Sequence, residues 1–228
     1  MNFSIDSNIL VASVNSKDRL HHKSIMIFKE REDGKFFLSS TVLTESQNLF
    51  RNRINQVVVE IIRLLPNFQN KRLNRMEYQE HLITSFRQIK SENPGISNFL
   101  DLVYDEVNDF LKDNDSFKLP SFLSELSVKH SQSLYKRIDE IYPNSGSLVV
   151  LNHKHLKAVK EVTLDTYFKD MNDERIFHEL MTNLPDIAPI HFYTGDSEFV
   201  KKINKSYSRC AKLFELEDDS FICVLVKN

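Results

Sequence analysis

The sequence has few cysteines, no excess of positive charge and no long apolar run, and each absence excludes a class of protein. Its two cysteines, Cys210 and Cys223, have neither the spacing of a metal site nor that of a disulfide framework. We therefore expect both to be reduced core residues. The formal net charge of −2 provides no general basic field, so any contact with nucleic acid must depend on a local patch.

No apolar segment is long enough to span a membrane, and residues 1–6 lack the basic start of a signal peptide. These features favour a cytoplasmic protein without a membrane partner. The chain has 228 residues, of which 41% are hydrophobic, so it is long enough for one ample domain or for a domain with a large insertion.

Both ends of the chain alternate between strand-like and helix-like segments. The patterns predict strands at 2–6, 36–39, 190–193, 212–216 and 221–226, and helices at 22–32, 41–50, 173–184 and 197–205. This alternation is typical of a parallel sheet covered by helices. We therefore expect residues 1–52 and 166–228 to form one α/β core.

The middle of the chain, residues 53–165, is predicted to be an all-helical insertion packed on this core. Helices are expected at 55–65, 76–92, 96–113, 121–142 and 147–162, with the first ending at Pro66. Residues 148–151 leave a strand open as an alternative, because a short apolar run fits either structure.

Charge is segregated within this insertion. Residues 51–90 hold eight Lys and Arg residues against three acids, whereas residues 92–115 hold seven acids. Two explanations stay open. The stretches can be solvated helix faces that attract each other, or the first can be a basic surface, including Lys71, Arg72 and Arg75, that binds RNA phosphates.

Four acids, Asp6, Glu45, Asp173 and Asp196, lie at predicted strand ends or helix starts. Open α/β sheets place their active sites at the carboxyl ends of the strands, so we expect these acids to lie together. Neighbouring carboxylates repel each other and need a cation, and their hard oxygens suit Mg²⁺ or Mn²⁺. Such an ion orients a phosphodiester and lowers the pKa of a bound water, which makes hydroxide available.

Each acid also has a purely structural explanation. Asp6 can end a strand in a turn, and Glu45 can lie on a helix surface. Asp173 can interact with a helix dipole, and Asp196 can cap the helix that follows it. Asp170 is an alternative to Asp173 as the third acid.

The residues around the acids resemble the PIN domain of metal-dependent ribonucleases. The run Asp6-Ser7-Asn8-Ile9-Leu10 resembles that family's opening Asp-Thr/Ser-Asn/Ser-aliphatic motif, and residues 39–45 resemble its second-acid helix. Residues 173–176 are similar to its Asp-x-x-Ile helix, and residues 193–199 to its Thr-x-Asp-x-x-Phe motif. The resemblance covers roughly the first 50 and last 60 residues.

This resemblance implies a three-layer α/β/α core and a Mg²⁺- or Mn²⁺-dependent endoribonuclease that cleaves single-stranded regions of RNA. It assigns metal binding and catalysis to the four acids (Asp6, Glu45, Asp173 and Asp196). It also implies that Asn8 and Thr194 orient the carboxylates. A protein inhibitor or antitoxin and a homodimer stay open as partners.

Two departures from the family pattern affect this interpretation. The stretch between Glu45 and Asp173 is much longer than usual, and bulky residues stand at 177–179 where the family commonly has alanines. A catalytically weak module that binds RNA or protein is therefore the main alternative. A phosphohydrolase of the haloacid dehalogenase kind is disfavoured, because the segment 6–8 lacks the second aspartate of those enzymes.

Overall fold

A computed structural model gives the fold and describes residues 1–30, 34–69, 75–114, 118–141 and 147–227. Within these ranges the protein is a mixed α/β structure, mostly helical, with a small parallel sheet. None of the helices in the described ranges is long and apolar enough to cross a membrane.

The strands are β1 (Asn2–Ile5), β2 (Phe37–Ser39), β3 (Ser147–Val149), β4 (Ile190–Thr194) and β5 (Phe221–Leu225). The helices are α1 (Ser7–Val14), α2 (His21–Glu30), α3 (Ser40–Gln69), α4 (Arg75–Glu92), α5 (Ser97–Asp113), α6 (Leu119–Ile141), α7 (His153–Val162), α8 (Met171–Ile187) and α9 (Ser197–Leu213). A short 3₁₀ helix, Pro94–Ile96, precedes α5.

The chain divides into two compact units. The α/β unit comprises residues 1–14, 19–47 and 137–228, and the helical unit comprises residues 15–18 and 48–136. The acids predicted to form the site all belong to the α/β unit.

The strands of the α/β unit are parallel. Strands β1, β4 and β5 pair in the order β1-β4-β5, and β2 pairs with β3. A single parallel bridge between Phe3 and Phe36 places β2 beside β1. The resulting order is β3-β2-β1-β4-β5, and the carboxyl ends of these strands meet at one edge.

Consecutive residues of the central strands are buried, which indicates that helices cover both faces of the sheet. Phe3, Ser4 and Ile5 of β1 are buried, as are Phe192 and Tyr193 of β4. Helix α8 packs against β2 and β3, whereas α9 packs against β4 and β5. The sheet edge with the acids therefore rests on a core of packed apolar side chains.

The predicted insertion, 53–165, extends too far towards the C-terminus. The structure places residues 137–141 and 147–165 in the α/β unit, where β3 pairs with β2 and α7 packs against α8 and α9. The backbone N–H of Ser147 also donates to the carbonyl of Phe36 at 2.9 Å. Of the two alternatives for residues 148–151, the strand is therefore correct for Leu148 and Val149.

Two helices, predicted at 55–65 and 173–184, continue past the proline that follows each predicted range. Helix α3 continues past Pro66 to Gln69, and α8 continues past Pro185 to Ile187. Each proline lies in the last turn, where its missing N–H removes only one hydrogen bond from a long helix. Buried Leu184 and Ile187 on either side of Pro185 keep the end of α8 packed.

The predicted strand at 212–216 is wrong, since α9 continues to Leu213 and ends in a capping turn. The N–H of Leu216 donates to the carbonyl of Ala211 at 2.9 Å, and the N–H of Glu215 donates to that of Lys212 at 3.4 Å. Glu215 has a φ of 56°, as this turn requires. Glycine is usual at that position, so the sequence did not indicate a helix end.

In the helical unit, one ion pair supports attraction between the basic and acidic stretches. Lys90 of α4 pairs with Asp101 of α5, and Arg63 pairs with Glu60 on its own helix at 2.8 Å. Lys71 and Arg72, two residues of the predicted RNA surface, lie outside the described residues. Arg75 begins α4, and its side chain is likewise outside the described part.

Candidate active site

Asp6 lies between the last residue of β1 and the first residue of α1, with its side chain only 6% exposed. Its backbone N–H donates to the carbonyl of Tyr193 at 2.9 Å and so continues the pairing with β4. Its Oδ1 accepts a 2.7 Å hydrogen bond from the N–H of Ser7. Its Oδ2 accepts from Asn8 Nδ2 at 2.7 Å and from Thr194 Oγ1 at 2.6 Å. Both carboxylate oxygens are therefore held by the protein.

Asn8 and Thr194 connect Asp6 with the turn after β4. The Oδ1 of Asn8 accepts from the N–H of Gly195 at 3.0 Å, and Thr194 Oγ1 accepts from the N–H of Asp196 at 3.0 Å. A Cβ atom on Gly195 would lie 2.9 Å from a methyl group of Leu20, so a larger residue there would require the Leu20 side chain to shift. These contacts set the position of Asp196 relative to Asp6.

Asp196 is the N-cap of α9, as its structural explanation predicts. Its Oδ1 accepts from the N–H groups of Glu198 at 2.7 Å and Phe199 at 3.1 Å. These bonds engage one of its two oxygens. The capping bonds therefore fix the carboxylate through Oδ1, and Oδ2 takes no part in them.

The two rivals for the third acid differ in their environments. Asp170 is exposed and caps α8, with its Oδ1 accepting from the N–H of Asn172 at 2.7 Å. Asp173 lies one turn further on and is half-buried. Burial and the negative charges of the surrounding acids, Asp6, Asp170, Asp196 and Glu45, raise the pKa of Asp173 to about 6. Asp173 is therefore a candidate third acid whose pKa is affected by the other three predicted acids.

The charges also act on Asp6 itself. Burial raises its pKa from 3.8 to about 6, hydrogen bonds from Thr194 and Ser7 oppose this rise, and the charge on Glu45 adds to it. Glu45 lies near the start of α3 and is half-buried. Asp6, Glu45 and Asp196 thus all lie within electrostatic reach of Asp173, and Glu45 also lies within reach of Asp6.

The carboxylate oxygens of these acids are suitable ligands for a hard cation, although the acids are not positioned to bind one together. Among the residues that the structure describes, no three His, Cys, Asp or Glu side chains are grouped closely enough to hold a metal ion. Both oxygens of Asp6 accept hydrogen bonds instead. Mg²⁺ needs only one or two carboxylates besides water and phosphate oxygens, so the donor set fits such an ion in type and charge.

The sequence analysis missed Glu179, a fully buried acid of α8. Its carboxylate accepts hydrogen bonds from Ser39 Oγ at 2.5 Å, Ser40 Oγ at 2.6 Å, Thr41 Oγ1 at 2.9 Å and the Thr41 N–H at 3.1 Å. Four donors compensate for the loss of hydration that burial of an acid causes. Glu179 thereby joins α8 to the end of β2 and the start of α3.

This contact connects the helices that carry two of the candidate acids. Asp173 lies on α8 and Glu45 on α3, so Glu179 determines how these helices meet. The sequence holds a signal for it. Glu179 is placed within the apolar stripe formed by Ile176 and Leu180, where an acid must find hydrogen-bond donors.

A shallow cleft of about 310 Å³ lies beside the Thr194–Asp196 turn. Its lining residues are Arg19, Leu20, Gly195, Ser197, Leu225, Val226 and Lys227. Two of them are cationic, so the cleft offers positive charge next to the negative charge of the acids.

Both cysteines are buried and free, as we predicted. Burial raises the pKa of Cys210 to about 11 and that of Cys223 to about 12, and the charge of Asp6 adds to the rise at Cys223. Neither thiol is activated for chemistry.

No protein-family model matches the chain, and neither the curated proteins nor the solved structures include a significant match. Motifs around the acids and the geometry of the α/β unit are therefore the features that bear on function.

Proposed function

We propose that the protein is a Mg²⁺- or Mn²⁺-dependent endoribonuclease with a PIN-like three-layer core. The observation that carries this proposal is the electrostatic environment of Asp173, whose pKa is raised by burial and then by the charges of nearby acids, among them Asp6, Asp196 and Glu45. A parallel sheet with buried central strands and packed helices supports the three-layer core.

The clustering of acids favours a functional role over a purely structural one. An ionised Asp6 is unfavourable in this environment, because burial and Glu45 both raise its pKa. Groups with perturbed pKa values concentrate at functional sites, where strain is retained for chemistry. The capping role of Asp196 would be satisfied by Asn, which carries no charge.

In this proposal Asp6, Glu45, Asp173 and Asp196 would hold the ion. When bound, a divalent cation supplies a polarised water and stabilises charge on the leaving oxygen of a phosphodiester. Asn8 and Thr194 hold the Asp6 carboxylate in place, and Glu179 holds α8 against α3. Ion binding would require Asp6 to exchange at least one of its present hydrogen bonds.

The second candidate is a catalytically weak module that binds RNA or protein. It is favoured by the hydrogen bonds of Asp6, which engage both oxygens, and by the capping role of Asp196. If these contacts are the main role of the acids, the protein would bind a partner without cleaving it.

The rival acids of α8 provide a matched test. We would measure cleavage of a labelled single-stranded RNA in Mg²⁺ and in Mn²⁺ for the parent, Asp173→Asn and Asp170→Asn. Asparagine maintains an N-cap, so Asp170→Asn should retain both the fold and cleavage. Asp173→Asn should lose most of the cleavage, because a neutral amide attracts a divalent cation less strongly than a carboxylate does.

Asp6→Asn and Asp196→Asn should lose cleavage in the same way. EDTA should abolish the activity of the parent. Equal activity of parent and Asp6→Asn in metal-replete buffer would contradict the proposed function, and RNA binding without cleavage by the parent would favour the second candidate.

A further inference from the structure

Helices α7 and α9 carry an excess of positive charge that the sequence analysis did not single out. Together they contain eight Lys and Arg residues against two acids, Glu161 and Glu198, in a chain whose formal charge is −2. Both helices belong to the α/β unit with the acid cluster. A local excess of this kind is what a polyanion requires from a protein without a general basic field.

The two helices are in direct contact. Arg209 of α9 donates to the carbonyl of Val162 at the end of α7 at 3.1 Å. The rings of His155 on α7 and Phe214 after α9 pack edge to face, with centroids 5.1 Å apart. The end of α7 thus lies beside Arg209 and its start beside Phe214, so the helices run antiparallel.

Five exposed lysines on these helices have no acidic partner, and we name them the α7–α9 lysine surface: Lys154, Lys157, Lys160, Lys201 and Lys212. Within the part of the chain that the structure describes, none of the five forms an ion pair. Asp165 pairs instead with Lys205 at 3.7 Å and with Arg209 at 2.5 Å. The surface charge of the five is therefore available to a ligand.

Three lysines of the helical unit differ from these five, because each forms an ion pair. Lys90 pairs with Asp101, Lys129 with Glu106, and Lys112 with Asp109 at 2.6 Å. Acids of that unit thus neutralise these three lysines locally, whereas α7 and α9 contain two acids, Glu161 and Glu198, for eight Lys and Arg residues.

The lysine surface begins close to the acids. Asp196 caps α9, and Lys201 follows five residues later, which corresponds to a rise of about 7.5 Å along the helix. Burial lowers the pKa of His178, and the nearby charge of Lys160 adds to this fall; His178 lies on α8 five residues after Asp173. A strand of nucleic acid on these helices would therefore reach the helix starts that carry Asp173 and Asp196.

We propose that the α7–α9 lysine surface binds the phosphodiester backbone of a single-stranded nucleic acid and leads it to the acid cluster. The inference rests on the proposed function for the identity of the strand as RNA. The surface itself recognises charge, because ammonium groups contact phosphates without reading the bases.

The test replaces three unpaired lysines and compares them with three paired ones. The test variant is Lys157→Gln, Lys201→Gln and Lys212→Gln combined. The matched control, with the same change in net charge, combines Lys90→Gln, Lys112→Gln and Lys129→Gln. Binding of a fluorescent single-stranded RNA to the full chain is followed by anisotropy in EDTA, which prevents cleavage, across a salt series.

We expect the test variant to bind more weakly and with a smaller salt dependence. Three lost phosphate contacts lower the slope of log K against log salt by about 2, at about 0.7 per contact. The parent's affinity should then fall about 20-fold further than the variant's between 50 and 200 mM salt. The control should keep the parent's slope. In cleavage assays the test variant should raise KM and leave kcat unchanged, because the contacts are made before and during the reaction alike.

Three results would overturn the inference. The first is a test variant with the parent's slope of log K against log salt. The second is a control variant whose slope falls as much as that of the test variant. The third is a parent that binds phosphatidylserine vesicles and no nucleic acid. Single-stranded DNA of the same sequence separates the inference from the proposed function. In one outcome the parent cleaves no RNA while the test variant still shows a smaller salt slope with RNA or DNA. That result would support the lysine surface as a binding site and contradict the proposed ribonuclease activity.

Discussion

Replacing Asp6 by Asn should remove a large part of the pH dependence of stability in the metal-free protein. The pKa of Asp6 is raised from 3.8 to about 6, so the native state binds this proton more tightly than the unfolded chain. The stability that the proton provides is complete below pH 3.8 and is lost as the pH rises through about 6. At 1.36 kcal/mol per pH unit, the loss amounts to about 3 kcal/mol for a side chain this buried.

Asp173 contributes in the same direction, because burial and the neighbouring acids raise its pKa to about 6 as well. Water screens its charge more effectively, since this side chain is only half-buried. Asp6→Asn also removes one of the charges that raise the pKa of Asp173. The variant should therefore lose the pH-dependent stability that Asp6 contributes and part of the pH-dependent stability that Asp173 contributes.

The amide introduces a cost that does not depend on pH. Its Nδ2 would face a donor, either Asn8 Nδ2 or the N–H of Ser7, because both oxygens of Asp6 now accept hydrogen bonds. A conflict of this kind costs about 1–3 kcal/mol. At neutral pH the relief of charge offsets this cost, so stability should hold or rise, and the pH profile is the more informative measurement.

The assay is urea unfolding followed by circular dichroism in EDTA, from pH 4 to pH 8. From Asp6 alone, the parent should lose about 2.5 kcal/mol across this range relative to Asp6→Asn. Asp170→Asn is the control, because this acid is exposed and asparagine maintains the cap of α8. Parallel pH profiles for the parent and Asp6→Asn would refute the reasoning.

Three further predictions concern the ion, the buried acid and the basic stretch. Millimolar Mn²⁺ should raise the melting temperature of the parent but not that of Asp6→Asn, because a ligand of the native state stabilises it by mass action; an indifferent parent would support the binding module. Glu179→Ala should lower the free energy of unfolding in urea by about 3 kcal/mol or more, since four donors lose their acceptor, and Glu179→Gln should cost less. Neutralising Lys71, Arg72 and Arg75 together should leave the salt slope of RNA binding unchanged, because Lys90 and Arg63 of the same stretch pair with acids; a slope reduced by about 2 would instead assign phosphate contacts to that stretch.

The sequence alone determined the alternation of strands and helices at both ends of the chain. Strand β1, the helix with Ile176 and Leu180, and strand β4 were all predicted, because their apolar periodicity depends on residues a few positions apart. The expectation that Asp6 and Asp196 lie together also follows locally. Parallel strands end at one edge, and each acid follows a strand in the sequence.

Tertiary structure decided what depends on distant partners. Residues 147–149 form a strand because β2 is there to pair with them, and α9 continues to Leu213 because its end packs against the unit. The choice between Asp170 and Asp173 depends on how close α8 comes to the other acids. Glu179 lies 140 residues from Ser39, its hydrogen-bond donor. Burial of an acid is stable only when such donors arrive from elsewhere in the fold, and no local pattern of residues specifies that arrival.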